Sequence, residues 1–77
     1  MHIGAKIKQV LDSQSKDHTV KWFALQLNCD RRNVYHIFSR STVDTELLLR
    51  ISRILNHNFF LDLADDFNNW INNEEHL

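Results

Sequence analysis

Arg31, Arg32, Asn33 and His36 stand at the front of a stretch whose apolar residues, Val34, Ile37 and Phe38, recur at helical spacing. Turning those three inward leaves Arg32, His36, Ser39 and Arg40 on the outward face, with Arg31 at the leading end. A guanidinium is a planar fork of donors that matches the O6 and N7 acceptors of guanine, and it also pairs with phosphate. Tyr35, Asn33, Lys21 and Arg40 suit phosphate oxygens, as does the N-terminal edge of a helix opening beside Thr19. The chemistry on offer is recognition of a polyanion. An isolated helix with such a face reads first as a solvated surface, so the surrounding elements decide.

Other chemistries find little to work with. There is no Gly-rich phosphate loop, no G-x-S-x-G and no H-E-x-x-H, and the neighbouring carboxylates Asp65-Asp66 and Glu74-Glu75 diverge by about 100° on a helix. No enzyme is expected. His2, His18, His36, His57 and His76 are scattered without ligand spacing, and one cysteine makes no zinc signature, so neither metal nor cofactor is expected. Cys29 reads as a small core residue. The alternative, a redox sensor, needs an exposed thiolate of lowered pKa, for which Arg31 and Arg32 are near in sequence.

The polar face must be positioned by neighbours. Thr19 can cap a helix whose inward residues are Val20, Phe23, Ala24 and Leu27, and Asn28-Cys29-Asp30 interrupts the pattern before the next helix begins. Ala24 is small where two helices crossing steeply must nearly touch. Asn28 tolerates a left-handed backbone where the chain reverses, and Asp30 caps the helix of Arg31 and Arg32. Trp22 falls off the buried stripe, so it either packs over the first helix or meets a partner or a sugar-phosphate backbone.

This arrangement resembles the helix-turn-helix of the lambda repressor and Cro family, especially its small single-domain bacterial regulators. The motif's small residue is Ala24, its turn residue, usually glycine, is Asn28, and its apolar positions are Phe23, Leu27, Val34 and Ile37. Asp44 to Ser52 followed by Leu55 looks like the family's fourth helix, so the likeness spans Ile3 to about Leu63. It implies a five-helix, all-α, lambda-repressor-like domain that regulates transcription by binding specific double-stranded DNA. The recognition helix, 31–40, would lie in the major groove. The family's base-reading positions fall on Arg31, Arg32 and His36, leaving Thr19, Lys21, Asn33, Tyr35, Ser39 and Arg40 to complete the DNA contacts.

Composition agrees with that architecture. Seventy-seven residues suffice for one domain and leave no room for a large substrate cleft. No proline, a single glycine at Gly4 and no alternating strand pattern predict an all-helical chain. Ile3, Ile7, Val10 and Leu11 stripe a first helix that fades into the connector 12–17. Leu47, Leu48, Ile51, Ile54 and Leu55 stripe a fourth, capped by Asp44 and broken at Asn56-His57-Asn58. The lone cysteine, no apolar leader and no run near the roughly 20 apolar residues of a membrane span together predict a cytoplasmic protein.

A net charge of −1 suits a DNA binder only once it is divided along the chain. Residues 1–56 hold all nine Lys and Arg against five acids, a net of +4, whereas 57–77 hold five acids and no Lys or Arg. Residues 1–58 are therefore expected to form the basic body. Residues 59–77 are expected to form an acidic helix, from about Phe59 to Asn73, and a tail. Along that helix Phe60, Leu63 and Ala64 are expected to close the core, and Phe67, Trp70 and Ile71 continue the stripe beyond it. Either those three join two monomers as a homodimer, or the helix folds back along the first. An antitoxin-like interaction module, binding a protein partner through the acidic aromatic segment, is the alternative function.

Overall fold

A computed structural model describes residues 1–74, and every regular element within them is an α-helix: α1 (Ile3–Ser13), α2 (Val20–Leu27), α3 (Arg31–Ser39), α4 (Thr45–Leu55) and α5 (Phe59–Glu74). The helix boundaries arise from local polar side chains. Thr19 Oγ1 accepts the amide of Trp22 at 3.1 Å, Asp30 Oδ1 that of Asn33 at 2.9 Å, and Asp44 Oδ1 that of Leu47 at 2.8 Å. Each such cap contributes about 1 kcal/mol. Two further caps are not evident from the sequence: His2 Nδ1 at the start of α1 and Asn58 Oδ1 at the start of α5. Helices α2 and α4 end on left-handed asparagines, Asn28 with φ 57° and Asn56 with φ 49°, the conformation that their short polar side chains tolerate.

One cluster forms the core. Ile3, Ile7, Val10 and Leu11 of α1 meet Phe23, Ala24 and Leu27 of α2, Val34, Ile37 and Phe38 of α3, and Leu48, Ile51 and Leu55 of α4. The expected stripes of the first four helices thus face one another. Val20, Leu47 and Ile54 pack on the margin of the cluster, half-buried.

The single glycine has a specific task. The amides of Ile3 and Gly4 donate to the carbonyls of Ser41 and Arg40, at 3.1 and 2.9 Å, so the start of α1 sits on the end of α3. A Cβ on Gly4 would stand 2.5 Å from the carbonyl oxygens of Phe38 and Arg40, and closer still to that of Ile37. Only a residue without a side chain lets the two helix ends bond this closely, and the junction also satisfies amides and carbonyls that helix ends leave unpaired.

Helix α5 departs from the expectation. Phe59, not Phe60, is its core residue, fully buried in the same cluster, whereas Phe60 is 37% and Leu63 38% exposed and Ala64 is also exposed. The core is closed by one aromatic at the first position of the helix. Nor does the rest of the helix bury its stripe along α1: Phe67 and Trp70 are 56% and 57% exposed, and Ile71 is half-buried. The contacts near the body are Leu63, which shares a small hollow with Met1, Ile3, Val43 and Leu48, and the terminal ammonium of Met1, 3.2 Å from Asp66 Oδ2. His57 and Asp62, 2.6 Å apart, brace the corner between α4 and α5. The described part is elongated, 46 × 21 × 18 Å. Of the expected tail, residues 75–77 lie outside the described residues.

Candidate nucleic-acid interface

The α2–α3 pair is held by its turn. The amide of Asn28 bonds the carbonyl of Leu25 and that of Cys29 the carbonyl of Ala24, closing the end of α2 as the chain reverses. Arg50 of α4 strengthens the same end, its guanidinium donating to the carbonyl of Leu27 at 3.2 Å. Ala24 is buried between the helices. The short turn and two packed helices leave the α3 face opposite Val34, Ile37 and Phe38 open to solvent.

Every side chain expected from the sequence to contact DNA is exposed: Thr19, Lys21, Arg31, Arg32, Asn33, Tyr35, His36, Ser39 and Arg40. Thr19 and Lys21 stand at the start of α2, and the other seven fall into three overlapping groups around α3. Arg32, His36 and Ser39 point most directly away from the core. Arg31 and Tyr35 occupy one flank, where the Tyr35 ring meets Phe38 edge-on at 6.1 Å. Asn33, His36 and Arg40 border the other, across a cavity of about 250 Å³ from Leu47 and Arg50 of α4. Two side chains are partly committed elsewhere. Thr19 Oγ1 caps α2, and Ser39 Oγ donates to the carbonyl of His36 at 2.7 Å, so Ser39 offers a groove its lone pairs and not its proton. Arg40 lies just past α3 as its C-cap, one residue beyond the helix that was expected to include it.

The electrostatics of this face are uncompensated. Among the described residues the ion pairs are Met1 with Asp66 and Lys8 with Asp12, and His57 is hydrogen-bonded to Asp62. None involves Lys21, Arg31, Arg32, Arg40 or Arg50. The nearest acid in sequence, Asp30, turns its carboxylate to the amide of Asn33. Five cations on α2, α3, α4 and the end of α3 thus remain free to meet an external anion.

Arg50 is the residue that sequence reasoning missed. Helical periodicity puts it on the fourth helix but assigns it no role. A signal does exist in its spacing: it stands three residues beyond Leu47, one turn along the same face of α4, and both line the cavity.

Cys29 does not suit a redox sensor. It is half-buried, and its thiol is pushed up from the ordinary value first by desolvation and then by the charge of Asp30, with Arg50 pulling the other way. The thiolate is disfavoured, which opposes the reactivity such a sensor needs. Trp22 packs partly on the core and stacks on His18, with ring centroids 3.8 Å apart and planes within 4°. His18 Nδ1 meets Gln14 Oε1 at 2.9 Å, and Gln14 Nε2 donates to the carbonyl of Leu55 at 2.6 Å. Trp22 therefore belongs to a strut joining α1, α2 and α4. No group of three or more His, Cys, Asp or Glu among the described residues is arranged to hold a metal ion. No helix among them is long and apolar enough to cross a membrane.

No known family model matches the chain, and the searches of curated proteins and of solved structures found no match either.

Proposed function

We propose that this protein is a lambda-repressor-like helix-turn-helix regulator that binds specific double-stranded DNA in the cytoplasm, with α3 and Arg40 entering the major groove. The observation that carries the reading is the solvent-facing side of α3, which holds Arg31, Arg32, His36 and Arg40 with no carboxylate paired to any of the arginines. Unpaired cations along the solvent-facing side of a packed helix are placed to neutralise a phosphate backbone. In this reading Arg31, Arg32 and His36 reach base edges, while Lys21, Asn33, Tyr35 and Arg40, with the amides beside Thr19, hold phosphates.

One reading head covers one half-site, so the proposal includes a homodimer spanning heads about 34–36 Å apart. The surface available for joining them is the exposed stripe of α5. Three half-exposed aromatics, Phe60, Phe67 and Trp70, with Leu63 and Ile71, offer on the order of 400–500 Å² per copy, given that each aromatic can bury 150–250 Å². Two copies reach roughly the 1,000 Å² that a specific interface requires. The stacking of Phe67 on Trp70, with centroids 6.0 Å apart on a helix without Lys or Arg, also supports the second reading, an antitoxin-like module holding a protein partner.

Selection of bound duplexes from a random pool tests the first reading, followed by titration of the winning sequence with Arg32→Ala. The variant is expected to lose about 1–3 kcal/mol of cognate affinity and much less on random DNA. An unenriched pool overturns the reading, and equal losses on both DNAs make Arg32 a phosphate contact.

A further inference from the structure

The cavity between α3 and α4 has a composition that base reading does not require. Arg40, Arg50 and His36 line it together with Asn33 and Cys29, and its aliphatic lining is Leu27, Ile37 and Leu47. No Asp or Glu lines it. Asp44 and Glu46 line a separate hollow that shares Leu47 and Arg50, and neither forms an ion pair with Arg50. Arg50 is held in place by its bond to the Leu27 carbonyl, which leaves other guanidinium N–H groups for a ligand. At about 250 Å³ the space lies just below the range of drug-sized ligand pockets.

We propose that this cavity binds a small organic carboxylate with a compact apolar body, and that its occupancy opposes DNA binding. Two guanidiniums are suited to a planar carboxylate, which accepts paired N–H donors. The three aliphatic side chains would cover the ligand's apolar part, a contact that a DNA phosphodiester or a free phosphate cannot use. The site takes Arg40 and His36 out of reach of DNA and adds a negative charge beside the reading face. This second half rests on the function proposed above, whereas the binding itself does not.

Benzoate is the probe, with benzyl alcohol as its uncharged counterpart and inorganic phosphate as a bare anion. Each is titrated into the ¹⁵N-labelled protein without DNA. Benzoate is expected to give saturable amide shifts at Cys29, His36, Leu47 and Arg50, leaving α5 unmoved, while the other two bind roughly tenfold more weakly or worse. Arg50→Gln and Arg40→Gln should each weaken benzoate about tenfold. Arg50→Gln also removes the bond to Leu27, so Arg40→Gln, a change at an exposed position just past α3, separates loss of the site from loss of the fold. No saturable shift, shifts elsewhere, or unaltered binding by a folded Arg40→Gln overturns the site. Phosphate binding as well as benzoate overturns the ligand class and leaves a bare anion seat. With the selected duplex present, benzoate should raise the apparent Kd in proportion to site occupancy, and an unchanged Kd overturns the regulatory half. Intact benzoate shifts with no duplex bound at any concentration would instead count against the function proposed above and leave the carboxylate site standing.

Discussion

Helices α3 and α5 are both amphipathic, yet they meet solvent on opposite terms. Helix α3 spends its apolar residues entirely on the core, with Val34, Ile37 and Phe38 buried, and shows cations to the outside. Its ends are secured by the Asp30 cap and by the amides of α1 at Gly4. Helix α5 is nearly twice as long, buries Phe59, and shows solvent both its acids and an apolar stripe. A short helix locked at both ends suits rigid presentation of a few side chains. A long one anchored at its first turn, with apolar surface uncovered, suits contact with something the single chain does not contain. The two helices thus separate basic from acidic charge, and covered from uncovered apolar surface.

The sharpest test of this contrast is the pair of adjacent phenylalanines at the start of α5. Phe59→Ala should cost about 3–5 kcal/mol in denaturant unfolding, because it empties a fully enclosed site. A loss no larger than that of Phe60→Ala would mean that α5 is not anchored where the packing indicates. Gly4→Ala attacks the far end of α3 and should cost about 1–3 kcal/mol, since three carbonyls crowd the added methyl. A variant of native stability would show that α1 and α3 can separate without loss.

Trp70→Ala should leave monomer stability nearly intact but remove about 1.5–3 kcal/mol per side from a dimer, shifting sedimentation toward the monomer while a single half-site is still bound. An unchanged mass and unchanged DNA affinity would hand the stripe to a different partner. The smallest effect is expected of Lys21→Ala on α2. It should lower affinity for all DNA sequences alike and reduce the salt slope by about one unit of log K per log salt. An unaltered slope would take α2 out of the phosphate contacts.

Residue order by itself determined the helices, the caps of α2, α3 and α4, and the outward face of α3. Thr19, Asp30, Asp44 and the two asparagines act on amides and carbonyls a few residues away, and the 3.6-residue period sorts one face from the other without reference to the rest of the chain. Features that depend on distant parts of the chain were not legible in the same way. Phe59 and Phe60 are chemically identical neighbours, and which one is buried depends on the angle at which α5 leaves Asn56, His57 and Asn58. Gly4 in the sequence shows only a shortage of turn residues, and its purpose appears where the end of α3 lies against it. Arg40 and Arg50 line one cavity because α3 and α4 both dock on α2, which brings the end of one near the middle of the other. Local interactions choose the elements, but burial and the meeting of remote side chains are set by how those elements dock.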